Sequence, residues 1–338
     1  MKHLSFLLLM LFFGFSFAKL PIAETPFTDY TFNAAECKLL QHQKTRIFVP
    51  SYSFYLDGKI YEGEVLLKYR EFVDQLDIII NNIPMNYTEN DKKHVLESGG
   101  MFEILAYGNG KLLSFAPTKK IQVQLATQFD ITGGETFTFN RQNNTWKKNT
   151  PFGATKEANS VVNLDAENLW GDKLWYDTQF GDEIYDLASD SIKRIVSVNN
   201  STSFEELQDQ AFKTLNVDKM EMYNVDKILN EETIPIVADF KLDGIDKKLN
   251  SQIYVVYKNR NAVLSYFPQQ NGTEIMLLPN EDYTIFSFSQ NGKIAVLDNA
   301  FMNTFNLKEN RNKKVTFPLK VYKNNPTTKE ALAQITGL

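Results

Sequence analysis

Residues Ile60–Tyr69 read IYEGEVLLKY, and the stretch repeats every two residues. Tyr61, Gly63, Val65, Leu67 and Tyr69 fall on one face, while Glu62, Glu64 and Lys68 fall on the other. Successive side chains of an extended strand point to opposite faces, so this stretch is a strand with one face in a core and one towards water. The alternation recurs further on. Ile121, Val123 and Leu125 alternate with Gln122, Gln124 and Ala126, and Phe102, Ile104 and Ala106 mark a third strand. Asp57–Gly58, Asn109–Gly110 and Gly133–Gly134 punctuate the region. Asp-Gly and Asn-Gly accept the positive φ that tight hairpins need. Short strands between such turns predict an antiparallel, Ig-like β-sandwich over residues 19–150.

The pattern returns from Ile234. Ile236, Ala238 and Phe240 alternate, as do Ile253, Val255 and Tyr257, and then Val315, Phe317, Leu319 and Val321. A second Ig-like sandwich is expected over 233–325, with Pro318 putting its strand at an edge. Residues 326–338 are expected to be a loosely ordered tail. Residues 151–232 are different: polar, acidic and poor in alternation. Ser203–Phe204–Glu205–Glu206 has capping-box spacing, and Phe204, Leu207, Ala211 and Phe212 follow at helical spacing. The fold class is therefore mainly β: two sandwich domains joined by a mixed, loop-rich connecting module with a short helix near 204–214.

The first residues carry an address. Met1–Lys2–His3 is basic, Ser5–Ala18 is almost wholly apolar, and Ser16–Phe17–Ala18 is small-x-small. This is the pattern of a signal peptide over 1–18 with cleavage after Ala18. The apolar run is short of the ~20 residues of a membrane-spanning helix, and no later segment reaches that length. The mature chain is thus expected to be exported with no transmembrane segment. A net charge of −5 on 338 residues lacks the basic face of a nucleic-acid binder. Twenty-six Phe and 15 Tyr supply a large core. One cysteine, Cys37, excludes internal disulfides and Cys-based zinc sites, and is expected buried and reduced.

Catalytic equipment is sparse. Beyond the leader the histidines are His42 and His94, neither with a metal-spaced partner, and there is no nucleophile elbow, zincin motif or phosphate loop. No catalytic residue, cofactor or metal site is assigned. The best candidate for ligand or partner binding is the acidic, aromatic stretch with Asp165, Trp170, Asp172, Trp175, Tyr176, Asp177 and Tyr185. Aromatic rings stack on sugars and carboxylates hold Ca²⁺, but the Asp-x-Asx-x-Asx-Gly calcium loop is missing. The plainer explanation is a solvated acidic loop pinned to a sheet by its aromatic side chains. Arg70 and Glu71 lie on opposite faces of their strand, so Arg70 is expected to pair across strands with Glu97 or Glu103, as a fold-fixing ion pair.

Several segments form an ordered series: Val49-Pro50-x-x-Ser53-Phe54, Gly63-x-Val65-x-Leu67-Lys68-Tyr69-Arg70-Glu71-Phe72-x-Asp74, Ile83-Pro84-Met85 and Glu97-Ser98-Gly99-Gly100-Met101-Phe102-Glu103-Ile104. The series resembles a β-rich region of exported Bacteroidota proteins found on or near the outer membrane. Met222-Tyr223-Asn224-Val225-Asp226 and Val237-Ala238-x-Phe240 resemble a later segment of those proteins, in which Asn-Cys-Asp is the commoner form; this chain has Val225. The resemblance implies an envelope protein of a Gram-negative bacterium and carries no catalytic assignment. No type IX sorting domain is recognisable at the C-terminus. The expectation is periplasmic or outer-membrane association, or surface attachment through a partner. A non-enzymatic accessory subunit of an outer-membrane complex is the leading expectation, and a carbohydrate- or calcium-binding module is the alternative.

Overall fold

The structure, a computed structural model, describes residues 20–89, 92–117, 119–127, 134–141, 143–149, 156–157, 211–229, 231–243, 249, 251–289 and 292–338. It is mainly β, with several antiparallel sheets. The largest runs β1 (Thr28–Asn33), β6 (Glu64–Phe72), β8 (Lys92–Gly108), β16 (Met222–Leu229), β12 (Glu135–Asn140) and β13 (Thr145–Lys148), with β7 (Asn86–Glu89) and β9 (Lys111–Leu112) added along the long β8. A second has the order β14 (Lys156–Glu157), β15 (Ala211–Val217), β11 (Ile121–Thr127), β3 (Thr45–Val49) and β2 (Lys38–His42). A small sheet of β10 (Ser114–Phe115), β4 (Phe54–Leu56) and β5 (Lys59–Ile60) closes one end.

The two larger sheets face each other across one core. Val65, Leu67 and Tyr69 of β6 meet Ile47 and Val49 of β3, Val123 of β11 and Leu215 of β15. The alternation read in Ile60–Tyr69 is thus the inward face of β6. Asp57–Gly58 and Asn109–Gly110 sit at their hairpin turns with positive φ at all four residues. The Tyr61 side chain occupies the space beside two glycines: a Cβ on Gly108 would come within 2.5 Å of its ring, and one on Gly63 within 2.6 Å of its hydroxyl.

Residues 234–321 form a single sheet rather than the expected pair of packed sheets. Its order is β19 (Val263–Tyr266), β18 (Ile253–Tyr257), β21 (Tyr283–Phe288), β22 (Ile294–Leu297), β23 (Lys314–Val321), β17 (Ile234–Leu242) and β20 (Thr273–Leu277), with β17 and β23 parallel. The sheet curls into a nearly closed barrel. Ile236, Phe240, Val255, Ile275, Ile285, Leu297 and Phe317 pack together inside it. The outer strands approach each other through the Tyr266 hydroxyl, which accepts from the Met276 amide at 3.1 Å. Curling explains the difference from a sandwich: one closed sheet buries its own inner face, so no second sheet is needed. β23 is an interior strand and not an edge. Pro318 fits there because the β22 ladder stops at the Leu297–Leu319 pair, one residue short of it.

Three further expectations are corrected. Residues 211–214, placed near the end of a helix, begin strand β15, which pairs with β11 from Ala211–Thr127 to Val217–Ile121. Seven paired residues along a core strand outweigh local helical spacing; residues 204–210 lie outside the described ones. Within the expected connecting module, β15 and β16 instead complete the N-terminal sheets. The segment 326–338 is not a loose tail: α3 (Lys329–Thr336) is capped by Thr328, whose hydroxyl accepts from the Ala331 amide, and ends at left-handed Gly337. Two more short helices are α1 (Gln75–Ile80) and α2 (Asn299–Thr304).

A third core joins the halves. The outer face of the large N-terminal sheet contributes Phe72, Met101, Phe137 and Met222, and α1 adds Leu76 and Ile79. The barrel contributes Tyr254, Val256, Phe286, Phe288 and Val296 from its outside, and α3 adds the fully buried Leu332. Leu332→Ala is expected to lower the unfolding free energy by about 2–5 kcal/mol, read as a lower urea midpoint. A change under about 0.5 kcal/mol would show that α3 is not part of this core.

Candidate functional site

The sequence-derived candidates Asp165, Trp170, Asp172, Trp175, Tyr176, Asp177 and Tyr185 all lie outside the described residues. The charged candidates are placed. Register sets Arg70 opposite Glu103. Arg70 Nε and Nη2 donate to Glu103 Oε2 at 2.8 and 2.7 Å. The Glu103 side chain is only 2% exposed, and its other oxygen meets Arg141. Arg70 Nη1 donates to the Thr25 carbonyl at 3.0 Å, and its guanidinium lies 4.3 Å from the Phe27 ring centroid. Arg70 therefore ties the N-terminal segment onto the sheet. Glu97 goes elsewhere. It faces Arg260 of the barrel at 3.7 Å, and Arg260 also holds Glu281 at 2.7 Å and Glu231 at 3.1 Å. Burial pushes the Glu97 carboxyl above its ordinary value, against the pull of Arg260 and Lys227.

Two sequence segments named above meet beside this network. β16 pairs with β8 so that Asp226 is opposite Ser98, with a bulge between Asn224 and Asp226. Ser98 Oγ donates to Asn224 Oδ1 at 2.9 Å, and Asn224 Nδ2 donates to Asp226 Oδ2 at 2.7 Å. The barrel inserts Asn261 here. The Ser98 amide donates to the Asn261 carbonyl at 2.8 Å, and Asn261 Nδ2 donates back to the Ser98 carbonyl at 3.0 Å. Gln75 Nε2 of α1 reaches the carbonyls of Tyr257 and Arg260 at 3.1 and 2.7 Å. Ser98, Asn224, Asp226 and Asn261 are fully buried. Sequence reading missed Asn261 because Asn259-Arg260-Asn261 between apolar strands reads as an ordinary turn; its insertion is a tertiary fact. On the far side of the joint, Lys329 of α3 holds Asp74 at 2.8 Å and Asp77 at 2.6 Å.

The histidines are packed against tyrosines. The His42 ring meets Tyr69 edge-on at 5.0 Å, its Nδ1 is 3.4 Å from Tyr30 Oη, and burial lowers its pKa. The His94 ring lies 6.0 Å from that of Tyr87. Near His42, the Tyr69 hydroxyl donates to Glu71 Oε1 at 2.8 Å. Burial pushes Glu71 up from 4.5, and the Thr45 and Tyr69 hydroxyls pull it partly back. Cys37 is half-buried and free. Among the described residues no group of three or more His, Cys, Asp or Glu is placed to hold a metal ion. A recess of about 490 Å³ lies on the barrel between the turn 278–283 and α2. No protein-family model matches this chain, and no curated protein or solved structure matches it either.

A carboxyl held above its ordinary value binds its proton more tightly when folded. Glu71 therefore favours the folded state below about pH 4.5 and loses that contribution as pH rises through its raised value. Glu71→Gln removes the dependence. Urea unfolding from about pH 4 to about pH 7 is expected to show stability shifting steadily in favour of the variant relative to the parent. A difference that stays flat, or moves the other way, would contradict this environment for Glu71.

Proposed function

We propose that the chain is a non-enzymatic exported interaction module, an accessory subunit associated with an outer-membrane protein complex of a Gram-negative, Bacteroidota-like bacterium. Its place is the periplasm or the outer membrane, with the cell surface reached through a partner. The observation that carries this reading is a pair of exposed apolar side chains on short strands either side of the Tyr61–Gly108 contact. Ile60 is 51% and Leu112 53% exposed, and Ile60 lies on the two-residue edge strand β5. Exposed apolar side chains beside a short free edge suit pairing with another chain. The facing sheets of the N-terminal half fit an Ig-like style of interaction module. No helix among the described residues is long and apolar enough to cross a membrane.

Crosslinking in intact cells, followed by identification of the attached proteins, tests the proposal. Envelope proteins should be captured by the parent, and Ile60→Asp with Leu112→Asp should reduce that capture while the melting temperature stays unchanged. Capture of no envelope component would end the proposal, and capture undiminished in the double variant would remove this surface from it.

A further inference from the structure

A groove of about 490 Å³ opens on the barrel between the turn 278–283 and α2. A second recess of about 380 Å³ shares Asn280, Asn303, Phe305 and Leu307 with it, so the two form one continuous depression. Its size lies in the range of small-ligand sites.

The lining is chemically selective. Asn280, Asn299 and Asn303 present side-chain amides, and these make no hydrogen bond to another described residue. Asn280 is held in a left-handed backbone, φ 63°. An amide offers two donors and an acceptor in one plane, which matches the alternating donor and acceptor roles of neighbouring hydroxyls. Phe305 supplies an aromatic wall. It stacks on Phe301 at 5.6 Å and meets Phe317 at 5.4 Å, so its position is fixed by the barrel. The formal charges at the rim offset one another. The lining carries two lysines, Lys258 and Lys308, and two carboxylates, Glu281 and Asp282, of which Glu281 is committed to Arg260.

We propose that this groove binds a neutral saccharide, its hydroxyls on the asparagine amides and its apolar ring face against Phe305. Charged ligands gain nothing from a rim whose charges offset, while a purely apolar ligand would strip water from three amides without replacing their hydrogen bonds. The site is separate from the Ile60 and Leu112 surface, and it stands or falls independently of the accessory-subunit reading.

Saturation-transfer-difference NMR of the full chain with chitotriose, maltotriose and trigalacturonate tests it. At least one neutral trisaccharide is expected to receive saturation from the parent. Asn299→Ala with Asn303→Ala should bind it about tenfold more weakly. Asn303→Arg, an exposed position that a long side chain would fill, should abolish the signal with the melting temperature unchanged. No transfer to either neutral sugar, equal transfer in Asn303→Arg, or stronger binding of the anionic trisaccharide would each overturn the proposal.

Discussion

The buried joint between Ser98 and Asn261 is the constraint on which the rest of the molecule depends. Each residue exchanges hydrogen bonds with the other, one through two main-chain groups and one through the Asn261 amide. Both residues are fully buried, so water cannot replace these bonds if the halves pack in another register. A buried donor or acceptor left unmade costs about 1–3 kcal/mol, more than the net gain of making it. The joint therefore acts chiefly by penalising other arrangements. The apolar core around Phe72, Met101, Phe286 and Leu332 supplies attraction, and the polar groups fix the register in which that attraction is satisfied.

Charge follows the same plan. Arg70 and Arg141 converge on Glu103, Arg260 gathers Glu97, Glu231 and Glu281, and Lys329 bridges Asp74 and Asp77. Each cluster ties together segments far apart in sequence. The N-terminal segment is tied at Arg70, the barrel at Arg260, and α3 at Lys329. Of these pairs Arg70–Glu103 is the buried one, and a buried ion pair is a weak source of net stability but an expensive thing to break. The proposed partner surface is at Ile60 and Leu112, which belong to none of these clusters, while the Asn303 groove borders the Arg260 cluster through Glu281.

What the sequence made legible follows from which faces are wet. β6 and β11 have one buried and one half-exposed face, and their alternation could be read directly. β21 and β22 are buried on both faces, because the barrel interior takes one side and the joint core the other. A strand covered twice has no period of two to read, so a curled sheet packed against a neighbour looked like a second sandwich. β16 was hidden for the same reason. Its Asn224 and Asp226 were noticed only as a motif, and their meeting with Ser98 required the register of β8. The Arg70 pairing was readable to within two candidates, since strand faces are local, while the choice of Glu103 over Glu97 was set by pairing between strands. The groove asparagines carried no signal, because an exposed Asn in a turn or a short helix looks the same whether or not it lines a recess.

The central claim is that the two halves form one cooperative body through the joint. Differential scanning calorimetry of the parent and of Asn261→Ala tests it most directly. One transition is predicted for the parent, with calorimetric and van't Hoff enthalpies equal, and a lower or split transition for the variant. Two resolved transitions in the parent, or an unchanged trace in Asn261→Ala, would contradict the account.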